Sequence, residues 1–287
     1  MRARLSRLIL ILAGLGLSAC AGTPPAHVAL DINARNNVHS TDVVAPVRQG
    51  EVYVFVPQAS TGGQGGLLGA LIVAGVDAVR TSNAEDAVKP LRDAVIDFNF
   101  DDVLRQDLKA SMSKVQWLNV TEVKVIKDVA TASLDSAITN SKASAVLMVA
   151  ADYHLSNDGG TFYIAVRANL FPNSLALTPP KAGDANAKPK SDLSNAIYRN
   201  SFLFEAKVPG ATDDRHRNMD VWAANHGALL RAATTRGAAK LTELIAADIQ
   251  EAPLVTAEQG TAEKVLGNGP DGVLTRRANG TLAYAAK

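Results

Sequence analysis

Apolar and polar positions alternate most clearly in two neighbouring stretches, ASAVLMVAADYHLS and GTFYIAVRANLF. On the first, Leu147, Val149, Ala151, Tyr153 and Leu155 fall on one side; on the second, Phe162, Ile164, Val166, Ala168 and Leu170 do the same. A period of two is the signature of a strand with one face on a core. The linking NDGG contains Asp158-Gly159, a strong hairpin signal, so a long antiparallel hairpin is predicted. Its other face carries Asp152, His154, Arg167 and Asn169 and is expected to be the wetter one.

The same pattern places the remaining elements. Val28, Leu30 and Ile32 alternate with polar or small neighbours and predict a strand, and Glu51–Val56 (EVYVFV) predicts a more buried one ending at Pro57. A glycine-rich turn, TGGQGG, leads into LLGALIVAGVDAVR, where Gly66, Ala70, Ala74 and Ala78 recur every fourth residue. With Gly69 they form a candidate oligomer contact, because small side chains let helices approach closely. The apolar run Leu67–Val79 contains Asp77 and is shorter than the ~17 residues a membrane span needs, so a helix packed on a sheet is the favoured reading.

Pro90 is expected to divide that helix from LRDAVIDFNFDDVLRQDLKASMSKV. There Leu91, Val95, Phe98, Leu104, Leu108, Met112 and Val115 follow helical spacing, with a break near Asn99. TEVKVIK reads as a strand, Ala132–Ser141 as a polar helix, TPPKAGDANAKPKSD as a loop and Tyr198–Val208 as a strand. Asp220–Ile249 predicts a long alanine-rich helix with Val221, Ala224, Leu229, Ala233, Leu241, Leu244 and Ile245 inward, closed by Pro253. The tail VLTRRANGTLAYA predicts a short hairpin about Asn279-Gly280, outside the main fold. The expected class is α/β (α+β): a mixed sheet with a long antiparallel hairpin, helices packed on it and a long C-terminal helix.

The N-terminus changes this picture most. Arginines at positions 2, 4 and 7 precede LILILAGLGL, an apolar run of signal-peptide length, and Leu17-Ser18-Ala19-Cys20 follows. These four residues resemble the lipobox of bacterial lipoproteins. The resemblance implies cleavage before Cys20, a diacylglyceryl group on its thiol and an acylated new N-terminus. Two or more acyl chains hold a protein firmly to a bilayer, whereas one binds marginally. Ala21, rather than aspartate, after the cysteine resembles the outer-membrane address of enterobacterial lipoproteins. The expected organisation is a signal peptide over 1–19, lipidated Cys20 and tether over 20–27, a periplasmic domain over 28–252 and a tail over 253–287.

Composition narrows the function. Apolar residues make up 47% of the chain and charged residues 20%, a folded globular balance. Of 29 lysines and arginines, three belong to the leader, leaving 26 against 28 acidic residues. Such a chain has no strongly basic field, so nucleic acid is not an expected partner. One cysteine excludes an intramolecular disulfide and a multi-cysteine zinc site.

Chemical motifs are few. Asp97, Asn99 and Asp101 open like a calcium loop, but Asp102 stands where glycine is needed and Leu108 where glutamate is needed. TGGQGG lacks the lysine–serine pair of a phosphate loop. Asp152 and His154 share a strand face and could exchange protons, yet no nucleophile can be assigned beside them. Asn225 and His226 on the long helix suit packing or surface hydrogen bonding better than ligation. No catalytic set, metal or cofactor is expected.

The order of elements, with Cys20 in front, resembles the CsgG/LpoB-like periplasmic lipoproteins. EVYVFVP, the amphipathic helix before KVQW, ASAVLMVAADYHL and the helix ending LTELIAADI carry the resemblance. It implies an outer-membrane lipoprotein on the periplasmic side. Its domain would bind or scaffold another envelope component, and copies could assemble as a subunit of an export or lipid-transport apparatus. An envelope enzyme using Asp152 and His154 is the remaining alternative.

Overall fold

A computed structural model describes residues 27–30, 32–47, 49–56, 82–127, 135–136, 138–172, 177–178, 190–191, 195–250 and 263–287. Cys20 and the Gly66, Gly69, Ala70, Ala74 and Ala78 contact lie outside these residues. The described elements are α1 (Ile32–Arg35), β1 (Thr41–Val47), β2 (Tyr53–Val54), α2 (Ser82–Ala94), α3 (Phe100–Met112), β3 (Val120–Lys127), β4 (Ala145–Leu155), β5 (Thr161–Pro172), β6 (Leu177–Thr178), β7 (Lys190–Ser191), β8 (Tyr198–Lys207), α4 (Arg215–Gln250), β9 (Lys264–Gly269), β10 (Gly272–Arg276) and β11 (Leu282–Ala286).

One mixed sheet runs β3-β1-β4-β5-β8-β11-β10-β9, with β2 also pairing with β4. β1 is parallel to both β3 and β4, while β4, β5 and β8 are antiparallel to one another in sequence along the sheet. The expected α/β class holds. The hairpin holds too: β4 and β5 pair from Leu155↔Phe162 to Ala145↔Pro172, and the turn uses Gly159 at φ 71°. That left-handed conformation is one glycine adopts without a Cβ penalty. The tail hairpin about Asn279-Gly280 forms, with β10 antiparallel to β11, but it does not stand outside the main fold. β11 pairs parallel with β8, joining the C-terminal strands to the main sheet.

Three helices lie on one face: α4 against β5 and β8, α3 against β3, and α2 against β2. That face presents Leu147, Val149, Leu155, Phe162, Ile164, Leu170, Phe202 and Phe204, all fully buried. Leu91, Leu104, Leu108 and Met112 meet them from the helices, as their spacing predicted, and Val115 joins them just beyond the end of α3. At Gly237 the helix backbone comes so close that a Cβ would sit 2.7 Å from both Ile164 Cδ1 and Phe204 Cδ1.

Local chemistry explains where the elements begin and end. Asn99 caps α3: its Oδ1 accepts from the amides of Asp101 (3.1 Å) and Asp102 (3.3 Å), and both aspartates sit at the positive end of the helix dipole. The calcium-like spacing is thus a helix start. Pro90 does not end a helix; it lies inside α2. Proline removes the bond to the carbonyl four residues back, and here both Asp86 and Pro90 are exposed, so that loss occurs on the solvent side. The strand expected at Val28–Ile32 is only a single bridge, Val28 to Arg199, followed by the short α1. The strand expected over Glu51–Val56 shrinks to Tyr53–Val54.

The long helix carries the largest departure. Ala224 has ψ 146°, and Asn225, His226 and Gly227 are left-handed at φ 52°, 57° and 70°. The interruption resets the helical phase. Val221 and Ala224, expected inward, face solvent, whereas Asn218, Met219 and Trp222 are buried before it and Leu230, Ala233 and Leu241 after it. Gly227 packs on the end of α2, where a Cβ would collide with Val95 Cγ1. Arg231 fastens the crossing, donating from Nε to His226 O (2.8 Å) and from Nη2 to Ala94 O (2.9 Å).

Candidate functional site

The second face of the sheet holds the polar residues singled out by alternation. It is not wet. His154 and Asn169 are at 1% and 0% exposure, and Arg199 and Ser201 beside them are each at 4%. Period two distinguishes the two faces of a strand but says nothing about what each face meets, so polarity alone is a poor guide to solvent.

Asp152 and His154 are brought together as expected. His154 Nδ1 lies 3.0 Å from Asp152 Oδ1. The Tyr53 hydroxyl, on β2, donates to the same carboxylate at 3.1 Å to each oxygen. The imidazole stands in a row of rings across three strands, stacked on Tyr53 (centroids 5.6 Å apart) and Tyr163 (5.3 Å), with Phe55 tilted against it at 5.7 Å. A general base must reach a substrate proton within hydrogen-bond distance. Here one ring nitrogen meets Asp152 and both ring faces are covered, so the geometry is that of a cross-strand brace. The sequence pattern does not single out Tyr53. Its only signal is its place beside Phe55 in EVYVFV, a run read as fully buried.

A second buried polar group joins β8 to the last turn of α4. Asp248 Oδ2 accepts from Tyr198 OH (2.6 Å) and Asn200 Nδ2 (2.9 Å). Complete burial, with that carboxylate alongside, pushes the Tyr198 hydroxyl well above its ordinary pKa. His27 sits close by, beside Gly280 of the β10–β11 turn, and burial holds its pKa below the ordinary value. Val28 exchanges backbone hydrogen bonds with Arg199 at 2.8 and 2.9 Å.

Between α3 and α4 lies a groove of about 220 Å³, lined by Ser111, Lys114, Val115, Glu243, Ala246 and Gln250. That is below the usual size of a small-molecule pocket, ~300 Å³ and above. Asp107 on α3 has its pKa raised by burial and then by Glu243. Asn225 and His226 are exposed at the interruption of α4, away from any such groove. Among the described residues no three His, Cys, Asp or Glu side chains converge as a metal site would require, and no helix is long and apolar enough to cross a membrane.

No protein-family model matches the chain, and no curated protein matches it. Among solved structures it is similar to a PelC dodecamer from Paraburkholderia phytofirmans in space group P6, with 11% identity over 76% of this chain and 92% of that one, at a TM-score of 0.26. A second PelC dodecamer from the same organism, a leucine-to-methionine variant in space group C2, gives 13% identity over 77% and 93% at a TM-score of 0.23. Superposition this loose says nothing about how the present chain acts or assembles.

Proposed function

We propose that this is a lipid-anchored protein of the bacterial outer membrane whose periplasmic domain binds or scaffolds another envelope component without catalysing a reaction. The anchor rests on the lipobox-like Leu17–Cys20 and the leader before it. The observation that carries the binding role is the edge of the sheet. Among the described residues β3 pairs on one side only, with β1, and Thr121, Glu122, Lys124 and Lys127 along it are exposed. A strand with free backbone groups accepts an added strand from a partner, and charged side chains there restrict pairing to a complementary one. The clamped His154–Asp152 pair supports a structural role for the acid–base couple on the second face.

Two measurements test the two halves separately. Intact mass of the protein from membranes gives a triacylated Cys20 N-terminus; an unmodified thiol or a retained leader overturns the anchor. Crosslinking in native envelopes gives a discrete hetero-complex that is lost when Glu122 and Lys124 exchange charge; monomer alone at native abundance overturns the scaffold.

A second reading is an oligomeric subunit of an export or lipid-transport assembly. It is favoured by the opposite edge, where among the described residues β9 also pairs on one side only and leaves Val265 60% exposed. Leucine at Gly69 and Ala70 then abolishes assembly in sedimentation, and an unchanged sedimentation profile rejects that contact.

A further inference from the structure

We propose that the end of the sheet at which β1, β3, β4, β8, β9 and β11 begin rests on the phospholipid headgroups of the anchoring membrane, with Lys114, Lys142 and Lys264 turned toward an anionic surface. The inference deepens the anchored reading above and rests on acylation of Cys20. Strand register defines that end. Thr41 pairs with Val120 and Ala145, Ala145 with Pro172 and Leu170 with Tyr198. Leu282 pairs with Phe202 and Arg276, and Arg276 in turn with Lys264. The long helix α4 finishes there too, since Asp248 in its last turn accepts from Tyr198 and Asn200.

The chain enters the domain at this same end. Val28 exchanges two backbone hydrogen bonds with Arg199, at 2.8 and 2.9 Å, and His27 lies beside Gly280 of the β10–β11 turn. Both contacts pin the entry at the start of β8. Seven residue steps separate His27 from Cys20, so a lipidated Cys20 lies at most about 25 Å away with the tether fully drawn out. At 12 residues, β5 is about 40 Å long. The β4–β5 turn at the opposite end is therefore farther from the pinned entry than the tether reaches. An anchor this short keeps one end beside the bilayer and leaves charge to settle how the domain stands on it.

Charge is distributed unevenly between the two ends. Lys114 follows α3, Lys142 precedes β4 and Lys264 opens β9; all three are exposed, with Glu263 an exposed acid beside them. Val265, 60% exposed, adds an apolar group next to Lys264. The far end mixes Glu51, Asp158, Asp213 and Asp271 with Lys127, Lys207 and Lys287, all exposed. Acidic phospholipid attracts lysines that come within about a Debye length, ~8 Å at physiological salt. The basic surplus thus acts where the tether has already brought it. In that stance the strands rise from the membrane, and the open edge of β3 is presented sideways to neighbours on the same membrane.

The test reconstitutes the acylated protein into vesicles of phosphatidylethanolamine and phosphatidylglycerol that carry a nickel-chelating lipid. A nitroxide is placed on Ala278→Cys at the near end or on Ala211→Cys at the far end, both exposed positions. Paramagnetic relaxation several-fold greater at 278 than at 211 is the expected result. The contrast should shrink in phosphatidylcholine vesicles with the same chelating lipid, and in the double variant Lys142→Gln, Lys264→Gln. Equal relaxation at the two positions in acylated protein, or a contrast that neither change reduces, overturns the stance alone. An unmodified Cys20 thiol by intact mass overturns the anchor and the stance together.

Discussion

The two faces of the central sheet are both buried, but by different means. The helix-covered face is filled by interlocking aliphatic and aromatic groups, among them Phe162, Ile164, Phe202 and Phe204. The other alternates small apolar clusters with bonded polar groups: the Asp152–His154–Tyr53 brace, the Arg199–Asn169 pair and the link between Arg277 and Glu205. Dispersion and burial stabilise the first without regard to direction. The second depends on a few oriented bonds, each worth little net but costly to orphan. Apolar packing thus supplies most of the sheet's stability, and the polar pairs of the second face are costly chiefly when one partner is lost.

The largest test of this contrast is Phe162→Ala. Phe162 is fully buried and packs on Trp222 with centroids 6.2 Å apart. It is expected to destabilise by about 3–5 kcal/mol in denaturant titration. Next comes a double-mutant cycle on Asp152→Ala and His154→Ala. Each single change is expected to cost about 1–3 kcal/mol, with the double change costing clearly less than the sum. Additive losses would show that the pair does not act as a brace. Comparable in scale is Gly237→Ala, where overpacking against Ile164 and Phe204 is expected to cost about 1–3 kcal/mol and to be relieved in part by Ile164→Val.

The smallest effect is a pH dependence at His27. Burial lowers its folded-state pKa, opposed by Asp248 and reinforced by Arg276. The unfolded chain then takes up a proton first as pH falls. Stability should be complete above the ordinary value of 6.5 and decline as pH drops from there toward the folded value. His27→Gln is expected to flatten that slope in melts across this range.

The hairpin of β4 and β5 is legible in the sequence because period two, a turn dipeptide and length all agree there. Asn99 is legible as a break, though its capping role is not. β1 escapes the pattern because TDVVAPV is short and contains Pro46; its pairing with β4 skips Ala45 and Pro46, the place where proline has no N–H to give. The burial of the second face is hidden, since a polar residue beside a core and one beside water look alike in sequence. The Tyr53, Asp248 and Arg199 contacts join residues on elements far apart in the chain, so no local spacing announces them. The interruption of α4 has a signal that periodicity masks: Asn225, His226 and Gly227 are residue types enriched in left-handed conformations.

That interruption has a consequence for motion. A helix holds together because each turn's amide ties to the carbonyl four residues earlier, and three left-handed residues cut the ladder. Residues 215–223 are then secured by the β4–β5 turn, through Trp222 Nε1 on Gly159 O at 2.8 Å, while 228–250 belong to the sheet. In amide hydrogen exchange the two stretches should open as separate cooperative units, the shorter one first.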